Sequence, residues 1–562
     1  RRATSDERGH IRTVLFAARS ASALNRLLDV LPVFAGDDRV ERLFTLIPGS
    51  EFHVEALAAI DRAHARVLPW DQARERSFDL VLGSNPKGMF RLLNGQRVLL
   101  PHGAAFSKTV PGEGSSGRAS GLDPAHLLHD GNAVAALHGL AHPDQVRLLA
   151  ALAPRAAERA VVVGDPTLER ILVSRTHRDR YRTALGTGAR TLIVVTSTWG
   201  PESLLQRRPT LPADLAATLP HDAYQLALLL HPNTRSEIGG FDLAERLAPA
   251  LDAGLVLAEP YEEWAALLVA ADAVITDHGS TALYAAALDR PLVGAYDGGE
   301  ELIPGSPMAE LLAHVPHLVP RLDPHLDGGG RLQAAIGAHV PGSGPRLAAS
   351  VFAEQGHALE RLRDELYRLL DLAPPDVPVT ARVLPSPEPS DRAPAAFAVH
   401  TRIDGLQVKV ERFPPYLDAP AHHLAAEYGR AGGRHIETAG LLYRRAGRPR
   451  PAHSPHSLAW TADAWLTHTL DAYPGCRTAA VIMSPSRCLV RPRNGPLLTI
   501  RIDPCHDGGR IVRTDPAAIL SAVHTWLARH PEPHAALSCA VGKHSFPTRL
   551  SPASSDDAAN PI

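Results

Sequence analysis

The sequence predicts an α/β protein made of two doubly wound domains and a following α+β module. Three observations carry this. Short runs such as TVLFAA (13–18) and TLIVVTS (191–197) are apolar at consecutive positions, the mark of strands covered on both faces in parallel sheets. Segments with apolar residues at helical spacing separate these runs, which is the alternation of a βαβ series. The alternation stops at a Pro-rich stretch over 373–395, after which several strands alternate apolar and polar residues.

In order, the first series places strands at 13–18, 42–48, 65–69, 78–84 and 97–103, with helices over Ala21–Leu31 and Val54–His64. A second series begins near AVVVGDP (160–166) and continues with strands at 190–200, 224–233, 254–260, 272–280 and 290–296. Helices fit over Tyr261–Ala271 and Thr281–Leu288, and one over Ser350–Leu372 closes the domain. The expected organisation is therefore a first Rossmann-like domain at 10–164, a second at 165–372, and an extended linker at 373–395. An α+β domain at 396–550 and a structureless tail at 551–562 complete it. In the α+β domain, helices are expected over Ala421–Arg430, Ala462–Ala472 and Pro516–Arg529, and HIETAGLLYRR (435–445) reads as a strand.

Composition narrows the class. The 562 residues exceed what one hydrophobic core organises, and 45% hydrophobic with 21% charged residues is globular composition. A net charge of −2 argues against nucleic acid as a partner. No run approaches the roughly 18 apolar residues of a membrane span, and the beginning of the sequence does not read as a secretory signal. The four cysteines fall between Cys476 and Cys539 without a Cys-x-x-Cys pair, so neither a disulfide framework nor a zinc site is expected. A cytoplasmic protein without cofactor or metal is the expectation.

Two facing domains of this kind create a cleft at the C-terminal ends of their strands. VITDHGSTALYAAALDRPLV (274–293) ends a strand at Asp277 and begins a helix near Ser280 and Thr281. Gly279 permits close backbone approach, and the free N–H groups there suit an anion; the plainer reading is that Ser280 caps the helix while Asp277 satisfies a turn. His231 in LLLHPNT and His102 in VLLPHGAAFSK each follow a buried strand, one from each domain.

The order of these pieces resembles the CDP-glycerol glycerophosphotransferase family, GT-B enzymes that build teichoic-acid-type polymers. His102-Gly103 with Lys108, Thr198-Trp199, His231-Pro232, Asp277-His278-Gly279-Ser280 and Asp289-Arg290-Pro291 match its motifs in order, over about residues 80–310. The sequence departs from the family at Pro101, Ala104, His278 and Gly279.

The resemblance implies a GT-B fold and a transferase moving a glycerol-phosphate or sugar unit from a nucleotide-diphosphate donor, CDP-linked by preference, to a hydroxyl acceptor. It implies His102 as general base and His231 as the contact to the leaving group. Asp277, Gly279, Ser280, Thr281, Gly103, Lys108 and Thr198 would bind the donor. Peripheral contact at the inner face of a membrane fits such an enzyme. A UDP-sugar glycosyltransferase or epimerase-like enzyme, and a non-catalytic nucleotide-binding module, use the same scaffold.

Overall fold

The computed structural model describes residues 11–49, 53–101, 103–104, 106–109, 118–259, 262–319, 329–388, 393–415, 421–447, 459–530, 532 and 534–562. The first sheet has six parallel strands in the order Val40–Leu46, Arg12–Ala18, Ser77–Gly83, Asn94–Leu99, Leu137–Leu140, Ala160–Val162. The interior strand Arg12–Ala18 shows why the run had to be apolar throughout. Val14, Phe16 and Ala18 enter one core while Leu15 and Ala17 enter the opposite one. The strand Ala160–Val162, read from sequence as opening the second series, is the edge of this first sheet. The run 65–69 contributes one bridge, Val67 beside Phe44.

The second sheet has five parallel strands, Val256–Leu257, Tyr224–Leu230, Thr191–Ser197, Ala273–Thr276 and Leu292–Gly294. Leu192 and Val194 face one core and Ile193 and Val195 the other. Two Rossmann-like domains whose strand ends meet across a cleft form the GT-B arrangement.

Two chain segments tie the domains together. Asp165 caps the helix Pro166–Val173, accepting from the Leu168 N–H at 2.8 Å. The helix Ala358–Leu370 returns to the first domain, where Leu359, Leu362, Leu366 and Tyr367 complete a core with Phe16 and Phe34. Over 373–388 the Pro-rich stretch is extended, as composition dictates, but it is packed at Leu384 and is not a free spacer. Leu384 is 3% exposed, its N–H donates to Ser174 Oγ at 3.0 Å, and its carbonyl accepts from Tyr181 Oη at 2.8 Å.

Among the described residues the C-terminal module is a closed barrel of nine strands, in barrel order Ala396–Asp404, Gln407–Phe413, Ala535–Val541, His544–Pro552, Leu498–Ile502, Arg487–Pro492, Thr478–Ser484, Leu441–Arg445 and His423–Glu427. The helix Pro516–Leu527 fills it; every residue from Pro516 to Val523 is buried, which an all-round apolar helix requires. AHHLAAEYGR (421–430), expected as a helix, instead contributes the strand His423–Glu427 between Ala396–Asp404 and Leu441–Arg445. Barrel closure needs a strand there, and burial of Ala425 and Ala426 overrides the helical preference of Ala and Leu. The run 435–445 divides into a helix, Gly433–Thr438, and the strand Leu441–Arg445.

The last twelve residues, expected to lack structure, are ordered. Ser554 and Asp557 form a capping box on the helix Ser555–Ala559, and the Ile562 N–H donates to the Trp460 carbonyl at 2.9 Å. Polar composition misleads here because the segment is held by caps and backbone pairing.

The barrel docks on the second domain through Arg412, which has no exposed surface. Its Nε and Nη2 bind Asp222 at 2.8 and 2.6 Å, and Nη2 also reaches Asp515 at 3.0 Å. Among the described residues no helix is long and apolar enough to cross a membrane.

Candidate functional site

A cleft of about 640 Å³ lies between the C-terminal ends of the two parallel sheets, lined from both domains. Gly103, Lys108, Thr198, His231, Asp277, Gly279, Ser280 and Thr281 all line it, although they lie far apart in sequence. His102 lies outside the described residues; its neighbours Pro101 and Gly103 line the cleft.

Asp277 organises the floor on the second domain. Its carboxylate is fully buried and accepts from three backbone N–H groups: Thr198 at 3.0 Å, Leu204 at 2.8 Å and Gly279 at 2.9 Å. Gly279 is confined between Asp277 and Thr198, since a Cβ there would stand 3.1 Å from Asp277 Oδ1 and 3.2 Å from Thr198 Cβ. The helix Thr281–Ala287 starts immediately after Ser280. Opposite, Gly103 takes φ +76°, and a Cβ on it would come within 3.2 Å of Ser280 Oγ. A larger residue there would strain the positive φ and require the Ser280 hydroxyl to give way by a few tenths of an ångström.

His231 caps the helix Pro232–Ile238. Its Nδ1 accepts from the Asn233 N–H at 3.2 Å. That bond leaves the ring proton on Nε2, so a donor faces the cleft, 3.4 Å from Ser22 Oγ of the first domain.

The structure pairs Lys108 with Glu301 at 2.8 Å and sets its ammonium 5.2 Å from the centre of the Trp199 ring. Around this pair the backbones form an interdomain clasp. The Thr109 N–H donates to the Glu301 carbonyl at 2.8 Å, and the Ile303 N–H to the Ser107 carbonyl at 2.9 Å. Glu301 Oε2 also meets His278 Nε2 at 3.1 Å. Burial holds the His278 imidazole below its ordinary range and Lys108 adds to this, while Asp277 and Glu301 pull the other way. Gly298 (φ +87°) covers this ring so closely that a Cβ would lie 2.3 Å from His278 Cγ.

Deeper, a buried network joins the domains. Arg26 binds both Asp165 oxygens at 2.9 Å, and Tyr284 Oη donates to Asp165 at 3.2 Å. Arg170 binds Asp29 at 2.9 Å.

Sequence reasoning missed Arg19, Ser22, Lys87 and Glu301. Arg19 and Lys87 bring positive charge to the cleft although neither adjoins a motif. The signal for Arg19 was available: it directly follows a strand, and Ser20 after it caps the helix Ala21–Val30. Lys87 is one of only four lysines. Among the described residues no group of three or more His, Cys, Asp or Glu is placed to hold a metal ion.

Comparison with protein families finds none that the sequence matches, and comparison with curated proteins finds no match either. Solved structures are similar in fold at low identity. The wall teichoic acid polymerase TagF is 14% identical, over 65% of this chain and 92% of that one, with a TM-score of 0.45. S. aureus MnaA with UDP is 11% identical, over 66% and 99%, with a TM-score of 0.40. UDP-GlcNAc 2-epimerase from Neisseria meningitidis bound to UDP-GlcNAc is 12% identical, over 64% and 99%, with a TM-score of 0.39.

Proposed function

We propose that this chain transfers a glycerol-phosphate or sugar unit from a nucleotide-diphosphate donor, CDP-linked by preference, to a hydroxyl acceptor in the interdomain cleft. The observation that carries the reading is the convergence of His231, Ser280 and Thr281 from one domain, and Arg19, Lys87 and Gly103 from the other, on one cavity at the strand ends.

For a CDP-glycerol donor, the acceptor oxygen attacks the phosphorus that carries glycerol. The bond from that phosphorus to the bridging oxygen breaks, and CMP leaves with the electron pair. His102 takes the acceptor proton. The His231 Nε2–H donates to the departing phosphate, and Ser280 and Thr281 hold the diphosphate with hydroxyl and backbone N–H groups. Such transfers depend chiefly on positioning and charge stabilisation, which this set of groups supplies. The reading includes a cytoplasmic site of action with peripheral membrane contact at most.

Thermal unfolding with CDP-glycerol, CDP, CMP, UDP, UDP-GlcNAc, ADP and GDP tests it. A ligand at 100 times its Kd stabilises the native state by about 2.7 kcal/mol. The expected result is stabilisation by cytidine nucleotides above the others, followed by release of CMP from CDP-glycerol when an acceptor is present. Stabilisation by uridine nucleotides alone would replace the donor with a UDP-sugar. Binding without turnover of any donor would leave a non-catalytic module, and no stabilisation by any nucleotide would end the nucleotide reading.

A further inference from the structure

Lys108 reaches from the first domain to two groups of the second. Its ammonium pairs with Glu301 at 2.8 Å and also donates to the Trp199 carbonyl. Two of the three hydrogens that an ammonium can donate are thus engaged across the domain boundary. Beside this pair, Lys108 and Leu302 form an isolated antiparallel bridge, with one interdomain backbone hydrogen bond on either side of it. So short a pairing of strands is marginal in water, and the side chains must hold what the backbone cannot.

Glu301 is placed to do this. It is 2% exposed, and the oxygen that pairs with Lys108 also meets His278 Nε2 at 3.1 Å. The turn after Trp199 makes room for it: Gly200 takes φ +95°, and a Cβ there would stand 3.1 Å from Glu301 Oε1. From the pair, contact continues toward the cleft through Trp199. Its ring lies under the Lys108 ammonium, and its centre is 6.0 Å from the centre of the His231 ring. Asp277 fixes the preceding residue by accepting the Thr198 N–H. The wall beside His231 is therefore held at two points, by Asp277 and by the Lys108–Glu301 pair.

Charge decides what Lys108 does there. An ammonium paired with an enclosed carboxylate offers a diphosphate almost no net charge. A donor that drew Lys108 away would leave the buried Glu301 carboxylate without its cation and close to a second anion, and both are costly.

We propose that Glu301 is a positioning residue for the transfer: through Lys108 it latches the two domains together and sets Trp199 against His231. Lys108 is then the latch and not a ligand of the donor diphosphate. This rests on the transfer reading above and revises the part that the family resemblance implies for Lys108.

The test uses the full chain with Glu301→Gln, which keeps the shape and removes the charge, and with Lys108→Met. Hydrogen exchange, read by mass spectrometry on peptides covering 107–109 and 301–303, reports on the clasp without any ligand. Each substitution is expected to speed exchange of the Thr109 and Ile303 amides about tenfold, with the strands Ser77–Gly83 and Thr191–Ser197 unchanged. In turnover of CDP-glycerol, each is expected to lower kcat about tenfold with KM within a few fold. The double variant is expected to be no slower than either single one, because both break the same pair. CDP affinity is expected to fall by the same small factor in both. If Lys108 held the diphosphate, Lys108→Met would weaken CDP binding about tenfold or more while Glu301→Gln tightened it by freeing the ammonium, and that pattern overturns the inference. So do clasp amides that exchange at the same rate in all three proteins. A donor panel without turnover removes the transfer reading and leaves the exchange rates to decide on the latch.

Discussion

His231→Ala is expected to lower turnover about 100- to 1,000-fold, the loss typical when one preorganised donor to developing negative charge is removed. The argument starts from the cap. Because Nδ1 accepts from the Asn233 N–H, the proton is on Nε2, and the imidazole acts at the cleft as an oriented donor. The same bond complicates a simple substitution, since losing a cap costs about 1 kcal/mol by itself. His231→Asn separates the two contributions. Asn is a favoured capping residue, so this variant is expected to regain the melting temperature of the unsubstituted protein while turnover stays low. Steady-state kinetics beside thermal melts of both variants decide the matter. If Asn restored turnover together with stability, His231 would be a cap and nothing more.

Arg412→Ala is expected to destabilise the protein by about 3–5 kcal/mol, the range for removing one partner from a buried ion pair. Arg412 is fully enclosed, its guanidinium carbon 4.3 Å from the centre of the Phe397 ring, and it bridges Asp222 of the second domain and Asp515 of the barrel. Truncation takes the guanidinium from Asp222 and leaves Asp515 to Arg445 and the Ala517 N–H, so the bridge across the docking face is lost and barrel and Rossmann domains are expected to unfold in separate transitions in a urea melt. The pH dependence has a definite sign. Burial raises the Asp515 pKa, but the Arg412 and Arg445 guanidiniums outweigh it and hold the carboxyl well below the usual carboxylate range. A lowered folded-state pKa gives stability that is complete above the unfolded value of about 3.9 and lost as pH falls through the folded one. The unsubstituted protein should therefore lose stability below about pH 4, and Arg412→Ala should lose less over the same interval. A single transition in the variant, with unchanged acid sensitivity, would mean that the barrel is held by other contacts.

The parallel sheets were legible because burial on both faces leaves a direct imprint on sequence: every position of 14–18 and 192–195 is apolar. The helix Ala462–Ala472 was legible to the residue, since Thr461 caps it and Pro474 follows shortly after it. The strand His423–Glu427 was not, because its preference for strand arises from barrel neighbours distant in sequence. In the cleft, the residues beside strand-end motifs could be read locally. His138, which lines the cleft from the strand Leu137–Leu140 with its Nδ1 buried and unpartnered among the described residues, could not, because a histidine inside a strand is the same symbol whether its ring is satisfied or orphaned. Arg19 could have been read from its place directly after a strand, whereas Lys87 carries no motif, and a basic surface assembled from separate loops has no signature as a whole along the chain.

The helix Ala358–Leu370 bears on how this protein is made. The first domain's strands are all synthesised by residue 162, yet the helix that covers Phe16 and Phe34 follows roughly 200 residues later. At about 5–20 residues per second, the ribosome needs on the order of ten to forty seconds to close that gap. Throughout it the nascent first domain presents an apolar face awaiting Leu359, Leu362, Leu366 and Tyr367. The domain begun first is thus completed only after its neighbour, and a chain stopped short of residue 358 lacks the side chains that finish it.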